Sequence, residues 1–291
     1  CGEKKESGKA FAGKSEGNQK KGHLLPFVRV AEAVAAAVAV LVISVNVSQT
    51  VANAMEQVPV LGAIVKIVNF TTYSDKQEKK QMEATVRVPE VKVIGTDGKP
   101  LTRESKELNA AVSGYLDKII QRYKKDVAGG SEGEGAVSDG EEGHEEITSD
   151  YRIVTNNERL FSLRVDTVIA MGGSDSFTKI YNIDKKTGKM ITLKDLFHEG
   201  SDYKKRISDS IKEQMRAQMK KDSSKTYFLD DDQPEWDFKQ IKDDADFYIS
   251  DNGELTFVFD KYEVAPGYMG LVEFSVPTEK LSDIVKDGYL Q

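Results

Sequence analysis

Apolar positions fall into three regimes along this chain. Residues 24–47 form a nearly unbroken apolar run, and its centre, residues 33–45, is almost all Ala, Val, Leu and Ile. Crossing a bilayer takes about 20 apolar residues. The run therefore predicts one transmembrane helix within 24–54, with Arg29 and Glu32 near its entry. A second regime has helical spacing. Leu108, Ala111, Val112, Tyr115, Leu116, Ile119, Ile120 and Tyr123 recur at i, i+3, i+4 and i+7, which predicts an amphipathic helix whose apolar stripe lies on a sheet. A weaker stripe, Tyr203, Ile207, Ile211, Met215 and Met219, predicts a helix over 201–220.

The third regime is short apolar segments separated by turn residues. They predict strands at 65–73, 83–93, 151–156, 160–170, 177–184, 247–250, 255–259 and 270–276. Pro89 marks an edge or a bulge in the second of these. Asn156-Asn157, Gly172-Gly173 and Asp251-Asn-Gly253 are hairpin-turn types. Residues 193–197 predict a short helical turn, and Pro277-Thr278 opens a last helix over 278–286. The sum is an α+β plan with antiparallel sheets and packed helices, preceded by one transmembrane helix.

Polar segments divide the chain. Residues 1–23 are a polar N-terminal segment, 24–54 the anchor, 55–128 a membrane-proximal and first ectodomain part, 129–146 an acidic linker, and 147–291 a C-terminal α+β domain. The linker is Gly, Ser, Glu and Asp with almost nothing apolar to bury.

Charge orients this plan. Seven basic and four acidic side chains precede Met55, and the remainder holds 34 basic and 44 acidic, a formal charge of −10. A basic flank before the anchor places the N-terminus in the cytoplasm and the C-terminal domain outside it, in a single-pass membrane protein. The acidic part excludes nucleic acid as a partner and suits a basic one. After the anchor, Ala52-Asn-Ala54 is a small-x-small sequence, which makes Ala54–Met55 a signal-peptidase bond. Cys1 is the single cysteine, so a disulfide within the chain and a Cys-based zinc site are both excluded. It reads either as the start of a fragment or as a lipid-modified residue.

Chemistry-bearing motifs are few. The sequence has no Gly-x-Ser-x-Gly elbow, no His-Glu-x-x-His and no phosphate loop, so neither an enzyme nor a cofactor is expected. His144 among Glu141, Glu142, Glu145 and Glu146 reads as a solvated acidic loop, and so do Asp230, Asp231, Asp232, Asp243 and Asp244. The most singular segment is Tyr262-Glu-Val-Ala-Pro-Gly-Tyr-Met-Gly270, between two predicted strands. One reading buries Tyr262 and Glu263 to fix a strand crossover. The other makes Tyr262, Glu263, Pro266, Gly267, Tyr268 and Met269 a ligand-binding loop on a rigid sheet.

That segment, with Phe274-Ser-Val-Pro277 and the upstream Thr187-Gly-Lys-Met-Ile-Thr-Leu-Lys-Asp-Leu-Phe197, resembles the C-terminal domain of the lysozyme-sensing anti-sigma factors of the anti-sigma-V type. It is also similar to modules appended to some peptidoglycan deacetylases. Asn46-Val-Ser48 and Val58-Pro-Val-Leu-Gly62 resemble the family's membrane-proximal segment. The resemblance implies a cytoplasmic segment that holds an extracytoplasmic-function sigma factor inactive. It also implies an ectodomain that binds lysozyme, or another basic cell-wall-active protein. Binding would expose Ala52, Ala54 and Met55 to signal peptidase, and an intramembrane protease would then release the sigma factor. Residues 1–23 are polar and show no amphipathic helix, which departs from the family's inhibitory segment. No deacetylase catalytic domain is visible. The alternative is a secreted or lipid-anchored cell-wall-binding module with no signalling role.

Overall fold

A computed structural model of the chain describes residues 62–129, 144–230 and 235–290. The apolar run at 24–54 lies outside them, as do Ala52, Ala54, Met55, most of the acidic linker, Asp231 and Asp232. Among the described residues no helix is long and apolar enough to cross a membrane.

Six strands form the larger sheet. They are β1 (Ile64–Gln77), β2 (Met82–Ile94), β3 (Glu145–Asn156), β4 (Leu160–Met171), β5 (Gly173–Asp184) and β6 (Lys189–Ile191), paired in sequence order. Strands before and after the acidic stretch thus share one sheet. Neighbours are antiparallel except β2 and β3, which run parallel over Met82–Val86 and Glu145–Ser149. Between those two comes helix α1 (Thr102–Val127), and a parallel pair needs such a crossover. β3 begins at Glu145, inside the stretch read as linker, and Glu145 is buried.

The helical stripe of α1 does what its spacing predicts. Leu108, Val112, Leu116 and Ile120 are buried against Val65, Val86, Val91, Val93, Phe161, Leu163, Val165 and Ile183. α1 also closes the edge of β2. Pairing with β3 stops at Val86, so beyond it β2 would leave backbone groups open. Asn109 supplies both partners for Val91: its Oδ1 accepts the Val91 N–H at 2.8 Å and its Nδ2 donates to the Val91 carbonyl at 2.9 Å. Ser105 Oγ accepts the Val93 N–H at 2.9 Å. Pro89, opposite Phe70 of β1, sits in the half of β2 that β3 does not reach, where a missing donor costs least.

A second sheet is built from β7 (Asp246–Ile249), β8 (Leu255–Phe259) and β9 (Val272–Val276), all antiparallel. Helix α2 (Tyr203–Lys221) packs on it through Ile207, Ile211 and Met215, beside Phe257, Phe259, Phe274 and Val276. The helix expected at 278–286 is instead a single 3-10 turn, Thr278–Lys280. Its backbone groups go elsewhere: the His198 N–H donates to the Ile284 carbonyl and the Lys286 N–H to the Leu196 carbonyl. The last segment therefore lies along residues 196–198, and after one more turn, in which the Ile284 and Val285 N–H groups donate to the Leu281 carbonyl, it does not continue as a helix.

β4 is covered on both faces. Phe161, Leu163 and Val165 look toward α1, while the alternate positions Ser162, Arg164 and Asp166 are buried toward the second sheet. These polar residues bond across the seam. Ser162 Oγ donates to Asn182 Oδ1 at 2.5 Å, and Asn182 Nδ2 donates to the Phe247 carbonyl at 2.9 Å. Arg164 bonds Asp166 Oδ1 at 2.7 Å and Glu273 Oε1 at 2.5 Å. Burial works against the Arg164 charge, but Asp166 and Glu273 outweigh it and hold the guanidinium above its ordinary value.

Asn109→Ala should leave both Val91 groups without a partner and lower stability by about 1–3 kcal/mol in urea unfolding. Exposed Lys106→Ala, on the same helix, should change it by less than about 0.5 kcal/mol.

Candidate functional site

The loop from Asp260 to Leu271 joins β8 to β9, and its base is tied to the free edge of β5. Among the described residues, β5 has no strand on its outer side beyond the three residues that pair with β6. Side chains and loop backbone fill the gap. Asp260 Oδ1 accepts the Thr178 N–H at 2.7 Å, and the Lys261 N–H donates to the Ser176 carbonyl at 3.1 Å. Lys261 Nζ reaches Ser174, bonding its carbonyl and, at 2.9 Å, its Oγ. Further along, Asp246 Oδ1 accepts the Ile180 N–H at 2.7 Å. Ser174 follows the β4–β5 turn, where Gly172 takes a φ of +63 that most side chains resist. The hairpin tip and the loop base thus form one unit.

Above this base the loop is held from within. Val264 and Ala265 are buried, and the Phe228 N–H donates to the Val264 carbonyl at 2.8 Å. Met269 packs on the core of the second sheet. Tyr262 holds a φ of +70, an uncommon backbone state for a residue with a side chain. Its ring lies across Gly267 so closely that a Cβ there would collide with it. Pro266 and Gly267 lead into a 3-10 turn, Gly267–Met269. Gly270 has open space around it, and its φ of +65 is what requires glycine.

This geometry bears on the reading that buries Tyr262 in a strand crossover. Tyr262 is 57% exposed and Tyr268 is 68% exposed, so neither fixes a buried crossover. Glu263 is half-buried; its Oε1 takes Lys242 Nζ at 2.6 Å and its Oε2 accepts the Asp260 N–H at 3.1 Å. Glu263 therefore braces the loop, while the two tyrosines are presented to solvent and Pro266 is half-buried. Trp236, 59% exposed, stands nearby in the fold against Phe228, with ring centroids 6.2 Å apart. A cleft of about 590 Å³ lies beside the loop, lined among others by Trp236, Phe177, Lys179, Lys242 and Asp260. Burial pushes the Asp260 carboxyl up to about 6; the Thr178 N–H eases this, and Glu263, Asp246 and Asp175 add to it.

Sequence reasoning named the loop but missed its supports. Asp260, Lys261, Ser174, Asp246 and Trp236 carry no motif; only pairing of distant segments brings them together. Of the acidic residues read as solvated, Asp230 pairs with Arg216 and Asp243 with Lys204. Among the described residues no group of three or more His, Cys, Asp or Glu is placed to hold a metal ion.

The fold and the loop together define an α+β domain that displays two exposed tyrosines on a loop fastened at its base. Known proteins narrow this class. Residues 194–279, which include the whole loop, match the DUF3298 family, described as a protein of unknown function. The crystal structure of a DUF3298 family protein from Pseudomonas aeruginosa PAO1 shares the fold, with a TM-score of 0.53 at 14% identity over 78% of this chain and 96% of that one. Anti-sigma-V factor RsiV of Bacillus subtilis is 38% identical over 242 residues, which is 83% of this chain and 78% of RsiV. The chain belongs to the anti-sigma-V factor family. The peptidoglycan-N-acetylmuramic acid deacetylase PdaC of the same organism is 21% identical over 79% of this chain and half of its own length.

Asp260 gives a pH signature. Its folded carboxyl is raised from 3.8 to about 6, so its stabilising contribution is full below 3.8 and is lost as pH rises through about 6. Urea unfolding across that window should show a shallower fall in stability for Asp260→Asn than for the wild type.

Proposed function

We propose that the chain is a membrane-anchored anti-sigma factor whose extracytoplasmic domain senses lysozyme. Membership of the anti-sigma-V family, at 38% identity over 83% of the chain, carries this reading. Residues 24–54 span the bilayer, and the segment before them engages an extracytoplasmic-function sigma factor. The loop of Tyr262, Glu263, Pro266, Gly267, Tyr268 and Met269 contacts lysozyme or another basic cell-wall-active protein. Tyr262, Pro266 and Tyr268 supply the contact, while Glu263 and Gly267 keep its shape. The formal charge of −10 after Met55 steers a basic partner toward the domain. Binding opens the Ala54–Met55 bond to signal peptidase, and an intramembrane protease then frees the sigma factor. The protein performs no catalysis of its own in this scheme.

Two experiments test it. An immunoblot of the protein in its own cells should show the full-length band disappear on lysozyme addition, and Ala54→Trp should block the loss. Constitutive cleavage, or none under any condition, would sink gating and leave a cell-wall-binding module. In a direct binding assay, Tyr268→Ala should weaken lysozyme affinity by about tenfold or more with the fold intact, because the side chain is exposed. Unchanged affinity in Tyr262→Ala and Tyr268→Ala alike would move the contact elsewhere.

A further inference from the structure

β3 starts at Glu145, close to where α1 ends. The Glu145 N–H donates to the Gln81 carbonyl at 3.1 Å, and the residue is flanked by Met82 of β2 and Met171 of β4. Its side chain is enclosed: Glu145 is 1% exposed, and no protein N–H or hydroxyl donor among the described residues reaches either carboxyl oxygen. A charged carboxylate is strongly disfavoured in such a place.

The surrounding groups explain why no simple ion pair forms. From α1, Arg122, Tyr123 and Asp126 face this corner. Arg122 Nε lies 3.8 Å from Asp126 Oδ2, so its charge is shared between two carboxyls. Tyr123 donates its hydroxyl to Asp75 Oδ2 of β1 at 3.0 Å. Lys80, from the β1–β2 turn, bonds the Val127 carbonyl. On β2, Glu83 pairs with Lys76 at 3.7 Å. Next to Glu145 in the chain, His144 is exposed and Glu146 half-buried. Asp126 itself is placed to hydrogen-bond Glu145. Two carboxylates are both acceptors, and only a proton between them makes that bond.

We propose that Glu145 and Asp126 hold one proton between them, which latches the last turn of α1 to the first residue of β3 and makes this junction the pH-sensitive joint of the domain. Desolvation first, and then Asp126, push the Glu145 carboxyl up from 4.5 to about 7, with Arg122 opposing. Opening the joint returns the group to water and to its ordinary value. The proton's stabilisation is therefore full below 4.5, declines as pH rises toward about 7, and changes little above it. In that window the fraction of open joints grows by about tenfold per pH unit, because opening releases one proton. The device is separate from the Tyr262 loop and does not depend on what that loop binds.

Hydrogen exchange of the intact chain, expressed as protection factors from pH 4.5 to 8.5, reads the joint directly. Protection at residues 122–128 and 145–149 should fall by about tenfold per unit and level off above about 7, while the α2 amides change much less. Glu145→Gln should keep the protection seen in acid and lose the slope. Asp126→Asn provides a second test should the first variant not fold. Its amide can donate to an ionised Glu145, so the slope should again shrink. A flat wild-type profile between pH 5 and 7 would overturn the proposal, and so would a wild-type slope persisting in either variant.

Discussion

Everything in this domain leans on the polar seam behind β4. A central strand covered on both faces is normally apolar on both. Here one face is Phe161, Leu163 and Val165, and the other is Ser162, Arg164 and Asp166. Buried polar groups are costly unless they are bonded, and bonding demands geometry that apolar contact does not. Arg164 reaches Asp166 and Glu273, Asn182 reaches Ser162 and Phe247, and Tyr248 donates its hydroxyl to Glu273 at 2.9 Å. These bonds set one position of the second sheet against the first. The seam thus specifies arrangement, while apolar clusters built from strands and one helix each lie on either side of it.

The same economy appears at the sheet edges. β2 and β5 each run past the strand that should cover them. Side chains from elsewhere take the open backbone groups: Asn109 and Ser105 for β2, Asp246 and Asp260 for β5. Sheet edges invite unwanted pairing, and covering them with fixed side chains avoids it. At β5 the cover has a second consequence. The residues that close the edge are those that found the Tyr262 loop, so loop position is inherited from the sheet. A displacement of the loop therefore reaches β5 through Asp260 and Lys261.

The carboxyls in this structure divide by location. Surface acids such as Asp230 and Asp283 pair with Arg216 and Arg206, and their pairing holds them below the ordinary value. Enclosed acids, Asp246, Asp260 and Glu145, are raised by burial. The acidic balance of the chain therefore has two roles. Outer carboxylates pair with surface arginines, and inner ones such as Asp246 and Asp260 accept hydrogen bonds in enclosed places where burial disfavours their charge.

Periodicity alone determined much of this protein. The α1 stripe, the strand at Leu255–Phe259 and the hairpin turns at Asn157 and Gly172 lie where spacing and turn chemistry put them, because those signals act within a few residues. The segment around Tyr262 was visible as unusual, and family resemblance to the anti-sigma-V factors was legible in it. Tertiary structure decided the rest. It made β2 and β3 parallel, since only the packed position of α1 sets the crossover. It took the helix expected at 278–286 and spent its backbone groups on residues 196–198. It turned Glu145 from linker into a buried strand residue, and exposed Tyr262 while seating Glu263 on Lys242. In each case the deciding partner is far away in sequence, and no local pattern can report where a distant residue will stand.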